Sequence, residues 1–120
     1  MPKKILIADD SAFMRTMLKD ILIKAGYEII EEVESGEKVV QKYHELKPDL
    51  VTMDIVMLGE GGLRAVKEII HFDSTAKILM VSAMGQQALV VQAIQAGAKG
   101  FLVKPFDPEQ LVAEVKRVIG

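Results

Sequence analysis

Ile5-Leu6-Ile7-Ala8-Asp9-Asp10 is the stretch on which the reading of the fold turns. A short apolar run that ends abruptly on two carboxylates suits a strand covered on both faces, with polar residues starting where the sheet stops. The pattern recurs at Leu50-Val51-Thr52-Met53-Asp54, at Ile78-Leu79-Met80-Val81-Ser82 and at Phe101-Leu102-Val103-Lys104. A fifth run, Ile29–Val33, completes a set of predicted strands at Ile5–Ala8, Ile29–Val33, Leu50–Met53, Ile78–Val81 and Phe101–Val103.

The segments between these runs carry helical spacing. The first has Phe13, Met14, Met17, Leu18, Ile21 and Leu22 and stops at Gly26, a helix-terminating glycine. The second has Val39, Val40 and Tyr43 behind a candidate cap, Ser35. The third has Leu63, Val66, Ile69 and Ile70, and the fourth has Leu89, Val90, Ala93 and Ile94. The fifth opens with Asp107 as cap, Pro108 at the first helical position and Gln110 three residues after the cap. Each gap exceeds the roughly dozen residues that a parallel crossover needs. The expected fold is therefore α/β, a (βα)5 doubly wound five-stranded parallel sheet with right-handed crossovers. No linker or low-complexity stretch interrupts it, so residues 1–120 read as one domain with no room for an output domain.

Composition narrows the function. Of 120 residues, half are apolar and 27% charged, enough for one core and a solvated surface. There is no cysteine, which removes disulfides, zinc–thiolate sites and thiol chemistry and fits a reducing compartment. With net charge −2 and the lysines interleaved with acids, no basic stripe for nucleic acid is present. Ile78 through Ala98 holds no charge, yet its glycines and four glutamines speak for a buried strand and an amphipathic helix, not a membrane span. His44 and His71 lack partners at metal-ligand spacing and read as surface helix residues.

In doubly wound sheets, ligands sit beyond the carboxyl ends of the strands. Those ends carry Asp9, Asp10, Asp54, Ser82 and Lys104. Any one aspartate there is ordinarily a cap or turn former, but a cap needs no lysine and hydroxyl on neighbouring strands. Three carboxylates that repel one another invite a hard divalent cation, and an oxygen-only set with few protein groups suits Mg2+. Asp54 could then act as nucleophile toward a phosphoryl group, with Lys104 balancing its charge; positioning and neutralisation are most of what phosphoryl transfer requires.

Asp9-Asp10, Asp54, Ser82-Ala83 and Lys104-Pro105, in that order and at those strand ends, resemble the response-regulator receiver domain over the whole chain. Asp10-Ser11-Ala12-Phe13-Met14-Arg15 and Ser82-Ala83-Met84-Gly85-Gln86-Gln87 are similar to stand-alone chemotaxis receivers of the CheY type. The resemblance implies a flavodoxin-like receiver fold and a cytoplasmic, two-component signalling role. It implies Mg2+ held by Asp9, Asp10, Asp54 and the Val56 backbone carbonyl, and phosphorylation of Asp54 by a histidine kinase. It further implies that Ser82 and Lys104 contact the phosphoryl group, that the Lys104–Pro105 bond is cis, and that Ser82 and Phe101 form the switch. Implied partners are the kinase, a flagellar motor switch protein and a phosphatase, with the chain a monomer that binds no nucleic acid and enters no membrane. Beyond handling its own phosphoryl group, the chain is expected not to be an enzyme.

The sequence departs from the family at Leu58, where a proline is usual, and continues with the glycine-rich Gly59-Glu60-Gly61-Gly62, read as a mobile loop. Val56 and Met84, two positions past Asp54 and Ser82, cannot orient water, which points to slow self-dephosphorylation. The uncharged Gly85–Ala98 segment leaves two readings open: a helix buried between neighbours, or a docking surface shared with the fifth strand and helix. Alternatives to a chemotaxis receiver are a stand-alone receiver in another phosphorelay, a receiver that serves only as a scaffold, and an aspartyl-phosphate phosphohydrolase. The last would resemble the haloacid dehalogenase superfamily, whose Asp-x-Asp motif Asp9-Asp10-Ser11 breaks. A flavodoxin-like electron carrier is disfavoured because two carboxylates in the first loop would repel a flavin phosphate.

Overall fold

A computed structural model describes all of residues 1–120. Strands β1 (Lys4–Ala8), β2 (Glu28–Val33), β3 (Leu50–Met53), β4 (Ile78–Ser82) and β5 (Gly100–Val103) alternate with helices α1 (Ala12–Lys24), α2 (Gly36–Leu46), α3 (Gly62–Phe72), α4 (Gln87–Ala96) and α5 (Pro108–Ile119). The strands form one parallel sheet in the order β2-β1-β3-β4-β5. The strand order reverses between β1 and β3, and a crevice opens there at the carboxyl ends. Predicted and observed strands agree to within a residue at each end.

The near-continuous apolar runs have two destinations because side chains alternate along a strand. Leu6, Ala8, Val51, Met53, Ile78 and Met80 pack under α2, α3 and α4 with Val39, Val66, Ile69 and Ala93. Ile5, Ile7, Leu50, Leu79, Val81 and Leu102 pack under α1 and α5 with Leu18, Leu22, Leu111 and Val115. Edge strand β2 differs: Glu28, Glu31 and Glu32 interrupt it, and charge on an exposed edge discourages pairing with another chain. The Ile78–Ala98 stretch is split between β4 and α4, and no helix is long and apolar enough to cross a membrane.

The predicted caps set the helix starts. Ser35 Oγ accepts the Lys38 amide at 3.2 Å, and the Asp107 amide donates to Gln110 Oε1 at 2.8 Å. Gly26, past the end of α1, has φ +97°, a conformation that side chains resist. Thr52, central in β3, has a buried hydroxyl with no hydrogen-bond partner. An uncompensated buried hydroxyl is costly, so Thr52→Val, nearly the same shape, should stabilise the protein by about 1 kcal/mol, read as a higher urea midpoint. A lower midpoint would show that the hydroxyl is engaged.

Candidate functional site

The sheet brings Asp9, Asp54 and Lys104 together from three strands. β1 and β3 are adjacent and in register, Ala8 beside Met53, so the residues that follow them emerge side by side. Lys104 follows β5, two strands away, and its long side chain reaches back across β4. Its ammonium lies 2.8 Å from Asp9 Oδ2 and 2.9 Å from Asp54 Oδ2. Asp9 is 1% and Asp54 7% exposed, so neither carboxylate can rely on water for its solvation. Burial alone would lower the Lys104 pKa, but its hydrogen bonds to Asp9 and Asp54 outweigh that and hold the lysine above its ordinary value. The lysine is therefore a fixed positive charge at neutral pH.

Asp10 is exposed beside this pair, and one carboxylate oxygen from each of Asp9, Asp10 and Asp54 lies within 4.8 Å of the others. A cluster of that span made only of carboxylate oxygens fits a small hard cation, with the open Asp10 side leaving room for coordinated water. Nitrogen and sulfur ligands, which would favour zinc, are absent from the cluster.

Local bonds fix each member. The Asp9 amide donates to the Val33 carbonyl at 3.0 Å. Asp9 Oδ1 accepts the Ser11 amide at 2.9 Å, and the Asp9 carbonyl accepts Arg15 Nη1 at 2.7 Å. Arg15 is steadied by Glu32, 3.5 Å from its Nε. No sequence motif marks this clamp. Arg15 lies six residues past Asp9 and Glu32 on another strand, so only their position across the sheet edge gives them a role. The Asp54 amide donates to the Ala8 carbonyl at 3.0 Å, and Asp54 Oδ1 lies 3.4 Å from the Val56 amide.

Ser82 is fully buried and its Oγ accepts the Met84 amide at 3.2 Å, which leaves its hydroxyl proton free to be donated. Phe101 is half-buried on the face covered by α2, α3 and α4. The Lys104–Pro105 peptide bond is cis. His44 and His71 are exposed, and His44 rests edge-on against Phe72. In α4 only Ala93 is buried, while Val91 and Ile94 are each 45% exposed, so the helix is not buried between neighbours.

The rim is open. The largest surface cleft, 660 Å3 in volume, lies over α3 between Glu60 and Phe72, and the acids line none of the larger clefts.

Fold and site together define a doubly wound α/β protein with a lysine-countered carboxylate cluster at its switch point. Residues 5–116 match the response regulator receiver domain, and the chain belongs to that family. It is 57% identical to the chemotaxis protein CheY of Thermotoga maritima over 118 residues, 98% of each chain. It is 52% identical to the chemotaxis protein CheY of Bacillus subtilis over 120 residues, all of both. Among solved structures, a CheX–CheY–BeF3–Mg2+ complex from Borrelia burgdorferi contains a chain with a TM-score of 0.95 and 37% identity, covering 100% of this chain and 91% of that one. The chain is thus a response regulator receiver similar to CheY proteins.

Replacing Lys104 by Gln leaves two buried carboxylates facing each other, and the protein should lose about 1–3 kcal/mol. A divalent cation should then raise the melting temperature of Lys104→Gln more than that of the wild type. Thermal unfolding with and without Mg2+ measures this, and equal increments would contradict it.

Proposed function

We propose that the chain takes a phosphoryl group from a histidine kinase onto Asp54, with Mg2+ at the carboxylate cluster, and signals in chemotaxis through its α4–β5–α5 face. The observation that carries this reading is the Lys104 ammonium shared between Asp54 and Asp9 at 2.9 and 2.8 Å. A nucleophilic carboxylate held next to a fixed cation and a cation-ready acid pair is what phosphoryl transfer onto a side chain requires.

Asp54 supplies the attacking oxygen. As its bond to phosphorus forms, the bond from phosphorus to the donor imidazole nitrogen breaks, and the electron pair stays on the imidazole, which takes up a proton. Bound Mg2+ would lower the charge repulsion between the phosphoryl oxygens and the carboxylates. Asp9, Asp10, Asp54 and the Val56 carbonyl would hold it. Lys104 would leave Asp54 for a phosphoryl oxygen, and Ser82 would donate its free hydroxyl proton to another. Movement of Ser82 would draw on the segment that leads into α4, and Phe101, on the same sheet face, would turn into the space released.

The uncharged, exposed face of α4 supports a protein partner, and the chemotaxis CheY relatives favour chemotaxis over another phosphorelay, with the flagellar motor switch protein as the partner proposed. The CheX-bound relative supports docking of a second protein, here read as a phosphatase. Membership of the receiver family favours a receiver over a phosphohydrolase, so small phosphate esters should not be turned over. A single domain over residues 1–120, monomeric and cytoplasmic, accords with this reading.

Incubation with Mg2+ and a small phosphodonor should add one phosphoryl group by intact mass, and Asp54→Asn should add none; labelling of the Asp54→Asn variant would sink the assignment. Val56 and Met84 are 54% and 36% exposed and apolar, so Val56→Asn should speed phosphate loss at least severalfold by giving water a hydrogen-bonding partner. A Val91→Asp variant should be phosphorylated normally yet lose binding to the motor switch protein, as read by titration of the phosphorylated forms.

A further inference from the structure

The segment after Asp54 lacks the residue that would stiffen it. Leu58 leaves its own φ unset where proline would hold it near about −65°, and Gly59 and Gly61 both have positive φ. Expected to be mobile from composition, this loop is nevertheless fastened on two sides. Toward the site, the Gly62 amide donates to the Ile55 carbonyl at 2.8 Å, and a side chain at Gly62 would overlap the Asp54 carbonyl. Away from the site, it is held by the start of α2. The Glu60 amide donates to Glu37 Oε1 at 2.8 Å. The Glu37 carboxylate lies against the Gly59 Cα, where a Cβ would overlap it. Ser35 and Leu58 form an isolated parallel bridge, with the Gly36 amide 3.4 Å from the Leu58 carbonyl.

We propose that Glu37 is a positioning residue for the metal site. Its carboxylate holds the Glu60 amide and so sets the course of the chain from Asp54 through Val56, a restraint that Leu58 does not provide. This rests on the reading of Asp9, Asp10, Asp54 and the Val56 carbonyl as Mg2+ ligands. Glu37 makes no contact with the acids and acts only through the loop. It also stands in the first turn of α2, where a negative charge favours the helix end; that contribution depends on charge, whereas the loop clamp depends on an acceptor oxygen. Glu37→Gln keeps the acceptor and removes the charge, and Glu37→Ala removes both.

Calorimetric titration of Mg2+ into the wild type, Glu37→Gln, Glu37→Ala and the double variant Glu37→Ala/Leu58→Pro separates the roles. Glu37→Gln should bind within about twofold of the wild type, and Glu37→Ala about three- to tenfold more weakly, the range of one solvent-exposed hydrogen bond. The proline should restore most of the loss by setting φ at position 58. In metal-free protein, amide exchange at Glu60 should quicken in Glu37→Ala and not in Glu37→Gln. Wild-type Mg2+ affinity in Glu37→Ala, an equal loss in Glu37→Gln, or no recovery with proline would each overturn the proposal. A wild type that binds no Mg2+ would instead overturn the underlying metal-site reading, while the exchange result would still report the clamp.

Discussion

The Lys104 ammonium, held between the Asp9 and Asp54 carboxylates, is the contact on which the working end of this molecule depends. Two acids that are both more than nine-tenths buried would otherwise repel each other with little water to separate them. One lysine brought across from β5 makes their proximity tolerable, and it does so without neutralising the site. With Asp10 alongside, three carboxylates face one ammonium, so the rim stays negative and open to a divalent cation. The same contact joins β1, β3 and β5, and thus ties the chemistry to the integrity of the sheet.

Around that contact the site divides into a buried, hydrogen-bonded floor and an exposed rim. Asp9 is bonded through its amide, its carbonyl and both carboxylate oxygens, so its position is fixed before any ligand arrives. On the proposed function, preorganisation of this kind would spare the reaction the cost of gathering charged groups at the moment of transfer. Asp10, Val56, Leu58 and Met84 are exposed around it. The loop after Asp54 falls between these extremes: its near end is closed onto the Asp54 backbone and its far end leans on α2.

The route from the site to the exposed helix is short. Ser82 ends β4, its hydroxyl receives the Met84 amide, and α4 begins at Gln87. Gly85 lies so close to Val103 that a Cβ there would come within 2.8 Å of that side chain. The segment after Ser82 is thus pressed against β5, with Phe101 on the same sheet face, and on the proposed function a change at Ser82 would pass through it. Allosteric coupling is typically about 1–3 kcal/mol, so a switch along this route would bias populations and not act as all-or-none.

Much of this was legible in the residues. Apolar runs of strand length, Ser35 and Asp107 at helix starts and Gly26 at a helix end are local signals, and local backbone chemistry is enough to read them. The polar residues at the strand ends identified Asp9, Asp10, Asp54, Ser82 and Lys104 because the parallel topology itself sends those ends to one rim. Other features depended on the folded chain. Arg15 and Glu32, Glu37 and Glu60, and the exposure of α4 are pairings or surfaces between segments whose separation in sequence carries no period and no motif. Leu58 and its glycines looked free because composition reports the entropy a loop has to lose, and only tertiary contacts decide whether something is there to offset it.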